Sequence, residues 1–502
     1  MPGADADGLT AHAPEAAPVG TAPARSRFDL AAVYTLVFAG AGWLLGLLRL
    51  YDNSFLWHLK TGEYILDHGV PHSDPYSFSA PGVKWIAQSW LAELVYGVLH
   101  RTVGDFSIRL LGAVLTASVL AITYRVAYRN SRDAQRAAGL TVLVLLCLYF
   151  SWSNRPLLFG FFFFAGLVYL VEVPGSWVAR HAVWVLPPLL WLWANTHGSF
   201  ILGYAYLGLH LLGTWWDGTP PWKDRSRSLL IGAGVALPLI ALNPYGLDLL
   251  LFPFDLVGGR GEILSRVVEW RSPDFRSTIG IAFAVTVITL IVIAARGPHR
   301  LRRRDLVVVL PFIGLGLWAQ RNVPIAAIVI VAVAARAVRR DEEKVRDLKL
   351  LPIFGAVMVA FVLALTAVSA GQKNFVFTAY PVSTLTWADQ HGILTPNTRL
   401  LTDDAWAGYV IYRYWPQQKV FADDRFDMYP VPLMKDFLSF ADGGTGWQKK
   451  LDAWGIDVVI WPKDSALSAL LAESPAWRQV HRDGKAVVYV RKGSAQDAKL
   501  SS

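Results

Sequence analysis

YDNSFLWHLKTGEYILDHGVPHSDPYSF, Tyr51–Phe78, follows directly on the first long apolar run of the chain. Asp52 stands just past that run, and His58, Glu63, Asp67, His72 and Asp74 follow, interleaved with Trp57, Tyr64 and Tyr76. Aromatic rings settle at the headgroup level of a bilayer, while carboxylates and imidazoles beside a span face a wet cavity or the aqueous layer. The stretch therefore reads as a place for chemistry at a membrane surface.

The rest of the chain supports that placement. Of its 502 residues 54% are hydrophobic and 17% charged, and mean hydropathy is +0.37. A soluble chain carries about 25% charge. Apolar runs of roughly 17–25 residues recur, each long enough to cross a bilayer. Eleven spans are expected, at about 28–49, 106–126, 137–153, 156–172, 182–196, 198–215, 229–243, 279–295, 306–320, 322–336 and 350–370. The first lies too far from the N-terminus, and is too long, for a cleaved signal peptide.

A net charge of +9 raises the question of nucleic acid. Its distribution argues against that partner, because the basic residues fall in alternate short loops, as the positive-inside rule requires. Arg125, Arg129, Arg132 and Arg136 lie between spans two and three, and Lys223, Arg225 and Arg227 between six and seven. Arg296, Arg300 and Arg302–Arg304 lie between eight and nine; Arg336, Arg339, Arg340, Lys344, Arg346 and Lys349 lie between ten and eleven. These loops are expected in the cytoplasm, with the N-terminus, which places the C-terminus outside. The single cysteine, Cys147, sits in an apolar run and offers neither a disulfide nor a cysteine-based zinc site.

The expected organisation is an Ala/Pro/Gly-rich disordered tail over 1–27, a polytopic all-α membrane domain over 28–370, an α/β domain over 371–493 and a disordered tail over 494–502. The first outer loop, 50–105, carries two amphipathic helices lying in the interface. Phe55, Leu59, Gly62 and Leu66 share one face of the first, and Trp90, Leu91, Leu94, Val95, Val98 and Leu99 repeat at helical spacing in the second. Gly69–Val83 between them is a loop. After Gly371, Thr398–Thr402, Lys419–Ala422, Asp457–Trp461, Arg478–Arg482 and Ala486–Arg491 read as strands, the last two joined through Asp483-Gly484-Lys485 as a hairpin. Helices are expected at Leu385–His391, Lys449–Trp454 and Ser465–Glu473.

Asp52 is the leading candidate for chemistry, as a base for a hydroxyl or, with Glu63 and Asp74, a ligand for a divalent cation. The plainer reading is a solvated charge flanking a helix. Arg155, His197, Glu269 and Arg321 fall at the same ends of their spans. Each arginine alone reads first as a side chain snorkelling to headgroups. Together they point to a polar cavity in which an arginine binds phosphate through its planar fork. Asp404, Trp406, Asp424 and Arg425 follow the C-terminal ends of expected strands, where α/β sheets place binding groups; simple helix capping by aspartate is the competing reading.

Asp52-Asn53-Ser54-Phe55-Leu56-Trp57-His58-Leu59, with Thr61-Gly62-Glu63, Asp74-Pro75 and Ser77-Phe78, resembles bacterial membrane proteins related to the GT-C glycosyltransferases, such as lipid A aminoarabinose transferases and protein mannosyltransferases. The resemblance extends to Trp85, Trp90, the run Asp404–Tyr409 and Val420–Arg425. It implies a polyprenyl-phosphate-linked sugar as donor, an envelope glycan, lipid or protein as acceptor, the bacterial inner membrane as location, and a catalytic carboxylate mapping to Asp52. From their positions, His58, Glu63, Asp74, Arg155, His197, Glu269, Arg321, Asp404, Trp406, Asp424 and Arg425 are the expected substrate contacts. Asn53 stands where the group often has a second acid, so a further carboxylate has to come from Glu63, Asp74, Glu93 or Glu269. A non-catalytic protein that binds or moves lipid-linked glycans is the rival expectation; no internal repeat of a transporter kind is evident.

Overall fold

A computed structural model describes residues 29–342 and 350–501. The expected tail 1–27, with Arg25 and Arg27, and the basic residues Lys344, Arg346 and Lys349 lie outside the described residues. The chain is mostly helical. Helix α1 (Leu30–Gly46) starts where Asp29 Oδ1 accepts from Ala32 N at 2.8 Å, an N-cap that satisfies a free amide of the first turn. The first loop holds α2 (Asn53–His68) and α3 (Trp90–Thr102). There follow α4 (Asp105–Ser131), α5 (Ala134–Ser151), α6 (Leu157–Glu172), the short α7 (Trp177–Arg180), α8 (Ala182–Thr196), α9 (Phe200–Trp216) and α10 (Asp224–Ile240). A loop region with α11 (Leu247–Gly259) and α12 (Gly261–Leu264) precedes α13 (Thr278–Arg296), α14 (Arg303–Trp318), α15 (Val323–Ala337) and α16 (Leu351–Ala370).

Each of the eleven expected spans coincides with one helix. Among the described residues, five are long and apolar enough to cross a membrane: α4, α5, α13, Gln320–Ala337 and Pro352–Ala370. Helices α1 and α6 are apolar but shorter. The chain is a multi-pass membrane protein. Helix α15 is the centre of the bundle, buried almost throughout, whereas α16 exposes Ile353, Phe354, Val357, Phe361 and Leu363 and is tied to α1 by Trp43 Nε1 donating to Thr366 Oγ1 at 2.8 Å. An apolar helix exposed on nearly every face needs lipid as its solvent. The arginines of all four basic loops come together at one end of the bundle, lining a single concavity. The Asp52 loop lies at the other end.

Helices α2 and α3 pack backbone to backbone. A Cβ on Gly62 would fall 2.0 Å from Glu93 O, and one on Gly97 would fall 2.4 Å from Gly62 C. This close approach is what brings His58 of α2 against Glu93 of α3.

After Ala370 the chain adds α17 (Val382–Gln390), β1 (Leu400–Thr402), α18 (Asp404–Tyr414), α19 (Val431–Ala441), α20 (Trp447–Ala453), β2 (Val458–Pro462), α21 (Ala466–Glu473), β3 (Trp477–Arg482), β4 (Ala486–Arg491) and α22 (Ala495–Lys499). The sheet order is β1-β2-β4-β3, with β1 parallel to β2 and the other pairs antiparallel. The hairpin turn forms as expected, with Asp483 Oδ1 accepting from Lys485 N at 2.7 Å and Ala486 N at 2.9 Å.

Three expectations are corrected. The strand at Lys419–Ala422 is reduced to isolated bridges, Val420 pairing with both Ser77 and Leu400. Its backbone is consumed in joining the first loop to the sheet edge: Phe78 N donates to Val420 O (3.1 Å), and Val420 N to Tyr76 O (3.2 Å). The expected disordered tail 494–502 is not structureless over its described residues, because Ser494 caps α22, Arg478 Nε holds Asp497 (2.7 Å) and Gln496 Nε2 reaches Thr398 Oγ1 (2.9 Å). Finally, the apolar core under the sheet is not confined to residues after 370. It includes Leu56, Trp57, Tyr76, Trp85, Tyr245 and Ile263. The first loop thus serves as a second wall of the α/β region.

Candidate functional site

Asp52 sits at the N-cap of α2 with an extended backbone, and its Oδ1 accepts from Phe55 N at 3.2 Å. The plain capping role is therefore real. It also fixes the carboxylate for a second role, since Oδ2 accepts from Ser153 Oγ at 2.8 Å and lies 3.3 Å from Arg155 Nε. Arg155 Nε donates to Ser153 Oγ (3.1 Å), and its Nη2 pairs with Glu269. Burial works against the Arg155 charge, but Asp52 and Glu269 more than offset it and raise its pKa. Burial likewise favours the neutral form of Glu269, yet Arg155 and Arg321 hold its pKa below the usual carboxyl value. Arg155 thus stands between the carboxylates of Asp52 and Glu269.

Asp424 enters from the C-terminal region. Its Oδ2 accepts from Asn53 Nδ2 (2.8 Å) and from Ser54 Oγ, and its Oδ1 from Trp57 Nε1 (2.5 Å). Gly408 lets α18 approach here, because a Cβ on it would stand 2.4 Å from Asn53 O. Burial, with Asp423, Asp52 and Asp404 adding like charge, pushes Asp424 up to about 8. Asp404, just past its cap Asp403, is pushed to about 7 by burial and by Asp403. Both shifts favour the protonated carboxyl toward neutral pH, Asp424 more than Asp404.

His58 Nδ1 lies 2.7 Å from Glu93 Oε1. Burial pushes Glu93 well above the usual carboxyl range and His58 well below the usual imidazole range. Burial thus favours the neutral form of both partners. Glu93 Oε2 is buried without a hydrogen-bond partner. His197 is kept neutral by burial and by Arg321 and Arg155. Its Nδ1 accepts from Ser199 N at 3.0 Å, which leaves the proton on Nε2. Arg321 is stacked on Trp270, 4.5 Å from the ring centroid, and its charge is not spent in an ion pair.

These groups line one cavity of about 460 Å³: Asp52, Asn53, His58, Glu93, Arg155, His197, Glu269, Arg321, Asp404 and Asp424 all face it. Its other flank is apolar, with Leu256, Leu264, Val267, Val268, Phe437 and Leu438. That flank comes from α11, α12, α19 and the Val267-Val268 segment after α12, which sequence reading missed; the apolar run through Leu249–Phe254 was the available signal. Ser153, which holds Asp52, and Trp57, which holds Asp424, were also missed, and an isolated serine or tryptophan carries no local mark of such a role.

Four expected contacts lie elsewhere. Glu63 pairs with Lys60 (2.9 Å) and His100 (3.1 Å). Arg425 is fully buried between Asp74 (2.8 Å) and Asp423 (2.6 Å), with its guanidinium 4.5 Å from the Trp85 ring centroid and 4.9 Å from that of Tyr76. Asp74 and Arg425 thus join the first loop to the C-terminal region. Trp406 is packed into the core of that region. The cation trio Asp52, Glu63 and Asp74 is corrected as well, because the three carboxylates are engaged with different cations in different places. Among the described residues no group of three metal-ligating side chains gathers.

No protein-family model and no curated protein sequence matches the chain. Among solved structures, the archaeal oligosaccharyltransferase AglB from Archaeoglobus fulgidus, in complex with an inhibitory peptide and a dolichol-phosphate, superposes with a TM-score of 0.52 at 11% identity, over 85% of this chain and 69% of its own. Arabinofuranosyltransferase AftD from Mycobacteria gives 0.49 at 15% identity over 92% of this chain and 42% of its own. ArnT from Cupriavidus metallidurans, bound to undecaprenyl phosphate, gives 0.40 at 14% identity over 93% and 97%. The structural neighbours are GT-C membrane glycosyltransferases. The likeness of fold rests on the first of them, and a shared fold at such identity leaves function to be argued from the site.

Proposed function

We propose that the chain is an integral membrane glycosyltransferase that moves a sugar from a polyprenyl-phosphate donor to an envelope acceptor at the outer face of the bacterial inner membrane. One observation carries this reading: Asp52, Arg155, Arg321 and Asp424 converge on a single cavity with one charged and one apolar flank. Such a cavity suits a ligand with a phosphate at one end and a hydrocarbon chain at the other. The dolichol-phosphate in the AglB complex supports the same ligand class. With eleven spans and the basic loops in the cytoplasm, the cavity and the α/β region face outward.

In this mechanism the acceptor hydroxyl attacks the anomeric carbon. Its proton passes to Asp52, the carbon–oxygen bond to phosphate breaks, and polyprenyl phosphate leaves with an extra negative charge. Arg321, stacked but not ion-paired, neutralises that charge as it develops. Arg155 orients Asp52. Asn53 stands where a second acid is common in the group, and its amide bonds Asp424, so the second carboxyl comes from the far end of the chain, in protonated form, as a donor to the sugar. Asp404, Phe426 and Asp427 form the acceptor side.

Undecaprenyl phosphate binding to the purified chain in nanodiscs tests the reading. Arg321→Gln removes charge-assisted hydrogen bonds and is expected to weaken binding roughly tenfold or more, whereas Arg276→Gln, at an exposed arginine outside the cavity, leaves it unchanged. Equal binding by both variants contradicts the assignment. Binding without sugar transfer by the wild-type chain favours the non-catalytic carrier reading.

A further inference from the structure

The end of the bundle opposite the Asp52 cavity holds a larger concavity, of about 1180 Å³. Helix α6 connects the two: Leu157 lines the first and Glu172 the second. They stand at the two ends of its 16 residues, about 22 Å apart at a rise of about 1.5 Å per residue. Among the described residues, eight arginines line this second concavity against three carboxylates, Glu172, Asp305 and Asp341.

The carboxylates do not balance the arginines. Arg336 takes two of them, pairing with Glu172 and lying 2.6 Å from Asp305. Arg304 reaches Asp305 only at 3.7 Å, and its buried Nε has no acceptor. Arg225 donates to the Leu170 carbonyl and also has a buried Nε without an acceptor. Arg132 is turned to the Asp341 carbonyl (2.7 Å). Arg339 shows the crowding: its pKa is lowered by partial desolvation, then by Arg132 and Arg302 beside it. Membrane orientation explains arginines in loops. It does not explain guanidinium groups from four loops turned into one concavity with donors left over. Like charges within a Debye length repel, and an anion between them offsets that cost.

We propose that this concavity binds a phosphate-bearing anion, held by Arg132, Arg302, Arg304 and Arg339. Guanidinium forks match phosphate oxygens two at a time. The volume exceeds what one phosphate fills and suits a diphosphate or a glycerophosphate headgroup. Two sources share that chemistry: an anionic lipid of the adjoining leaflet, or a soluble phosphate compound.

The test uses the full chain in phosphatidylcholine nanodiscs, with thermal unfolding followed by tryptophan fluorescence. One arm titrates inorganic pyrophosphate; the other replaces part of the lipid with phosphatidylglycerol. The midpoint is expected to rise in at least one arm. In the Arg302→Gln/Arg339→Gln double variant the half-saturating concentration or lipid fraction rises roughly tenfold or more. Both side chains are exposed, so the fold is expected to persist; should the double variant not fold, Arg132→Gln carries the same expectation. Arg296→Gln, exposed at the same end but outside the concavity, behaves as wild type. A response to pyrophosphate alone identifies a soluble ligand, to phosphatidylglycerol alone a headgroup, and to both the shared site. No response in either arm, or a response that the cavity variants leave unchanged, overturns the proposal.

Discussion

Arg425→Met removes the cation between two buried carboxylates while filling much of the space it occupied. In the wild type Arg425 Nη2 lies 2.8 Å from Asp74 Oδ1, and Asp423 is held through both Nε (2.8 Å) and Nη2 (2.6 Å). All three side chains have no exposure to solvent. Breaking such a pair from one side costs about 3–5 kcal/mol, because the remaining charge stays buried and unpaired. At about 1.4 kcal/mol per factor of ten, the population with the first loop parted from the C-terminal region rises roughly 10²–10³-fold or somewhat more. The amides to follow by hydrogen exchange are Phe78 and Val420, which bond Val420 O and Tyr76 O across that junction. Their protection is expected to fall by that factor in Arg425→Met, with amides of α15 unchanged. Arg101→Gln offers the contrast: Arg101 meets Asp67 through two hydrogen bonds, but both are half exposed, and water screens the pair. Protection of Phe78 and Val420 within about threefold of wild type in Arg425→Met refutes the reasoning.

Asp424 and Asp404 titrate near 8 and 7 in the folded chain and near 4 when unfolded. The folded state therefore keeps protons that the unfolded state loses, so their contribution to stability falls as pH rises from about 4 to 8 and levels off above. Thermal midpoints at pH 5 and 8 should show that fall, and Asp424→Asn should flatten it; a difference between the two pH values that Asp424→Asn leaves intact contradicts the assignment. For topology, a cysteine at exposed Lys492 is expected to react with an impermeant thiol reagent in cells whose inner membrane is intact. Cys147 is buried and contributes no background; labelling only after lysis reverses the orientation.

The helices were legible because apolar periodicity and length are local. The two first-loop helices, the hairpin turn at Asp483-Gly484-Lys485 and the gathering of the basic loops at one end all follow from patterns a few residues wide. The candidate cavity was legible in part. Asp52, Arg155, His197, Glu269 and Arg321, read as polar residues at one set of span ends, face it, and so do Asp404 and Asp424, read as groups beyond the ends of strands. What sequence could not show was pairing at long range. The Asn53–Asp424 bond joins residues 371 positions apart, and Arg425 reads like a ligand-binding arginine until Asp74, 351 positions before it, is found beside it. Val420 looked like a strand residue because its neighbours are apolar and β-prone; its partners, Ser77 and Leu400, come from two distant segments. Glu63 shares the first-loop patch with Asp52, but helical geometry turns it toward His100.

Sugar transfer by Asp52→Asn tests the central claim most directly. The substitution keeps the shape of the side chain and an oxygen for the cap, puts an amide nitrogen where the oxygen that accepts from Ser153 stood, and removes the ability to take a proton. The purified wild-type chain and the variant are compared for transfer of labelled sugar from a polyprenyl-phosphate donor, with donor binding measured on the same samples. Loss of a general base lowers rates roughly 10²–10⁴-fold, so transfer is expected to fall by that factor while binding stays within about threefold of wild type. An Asp52→Asn chain that transfers sugar at the wild-type rate contradicts the account.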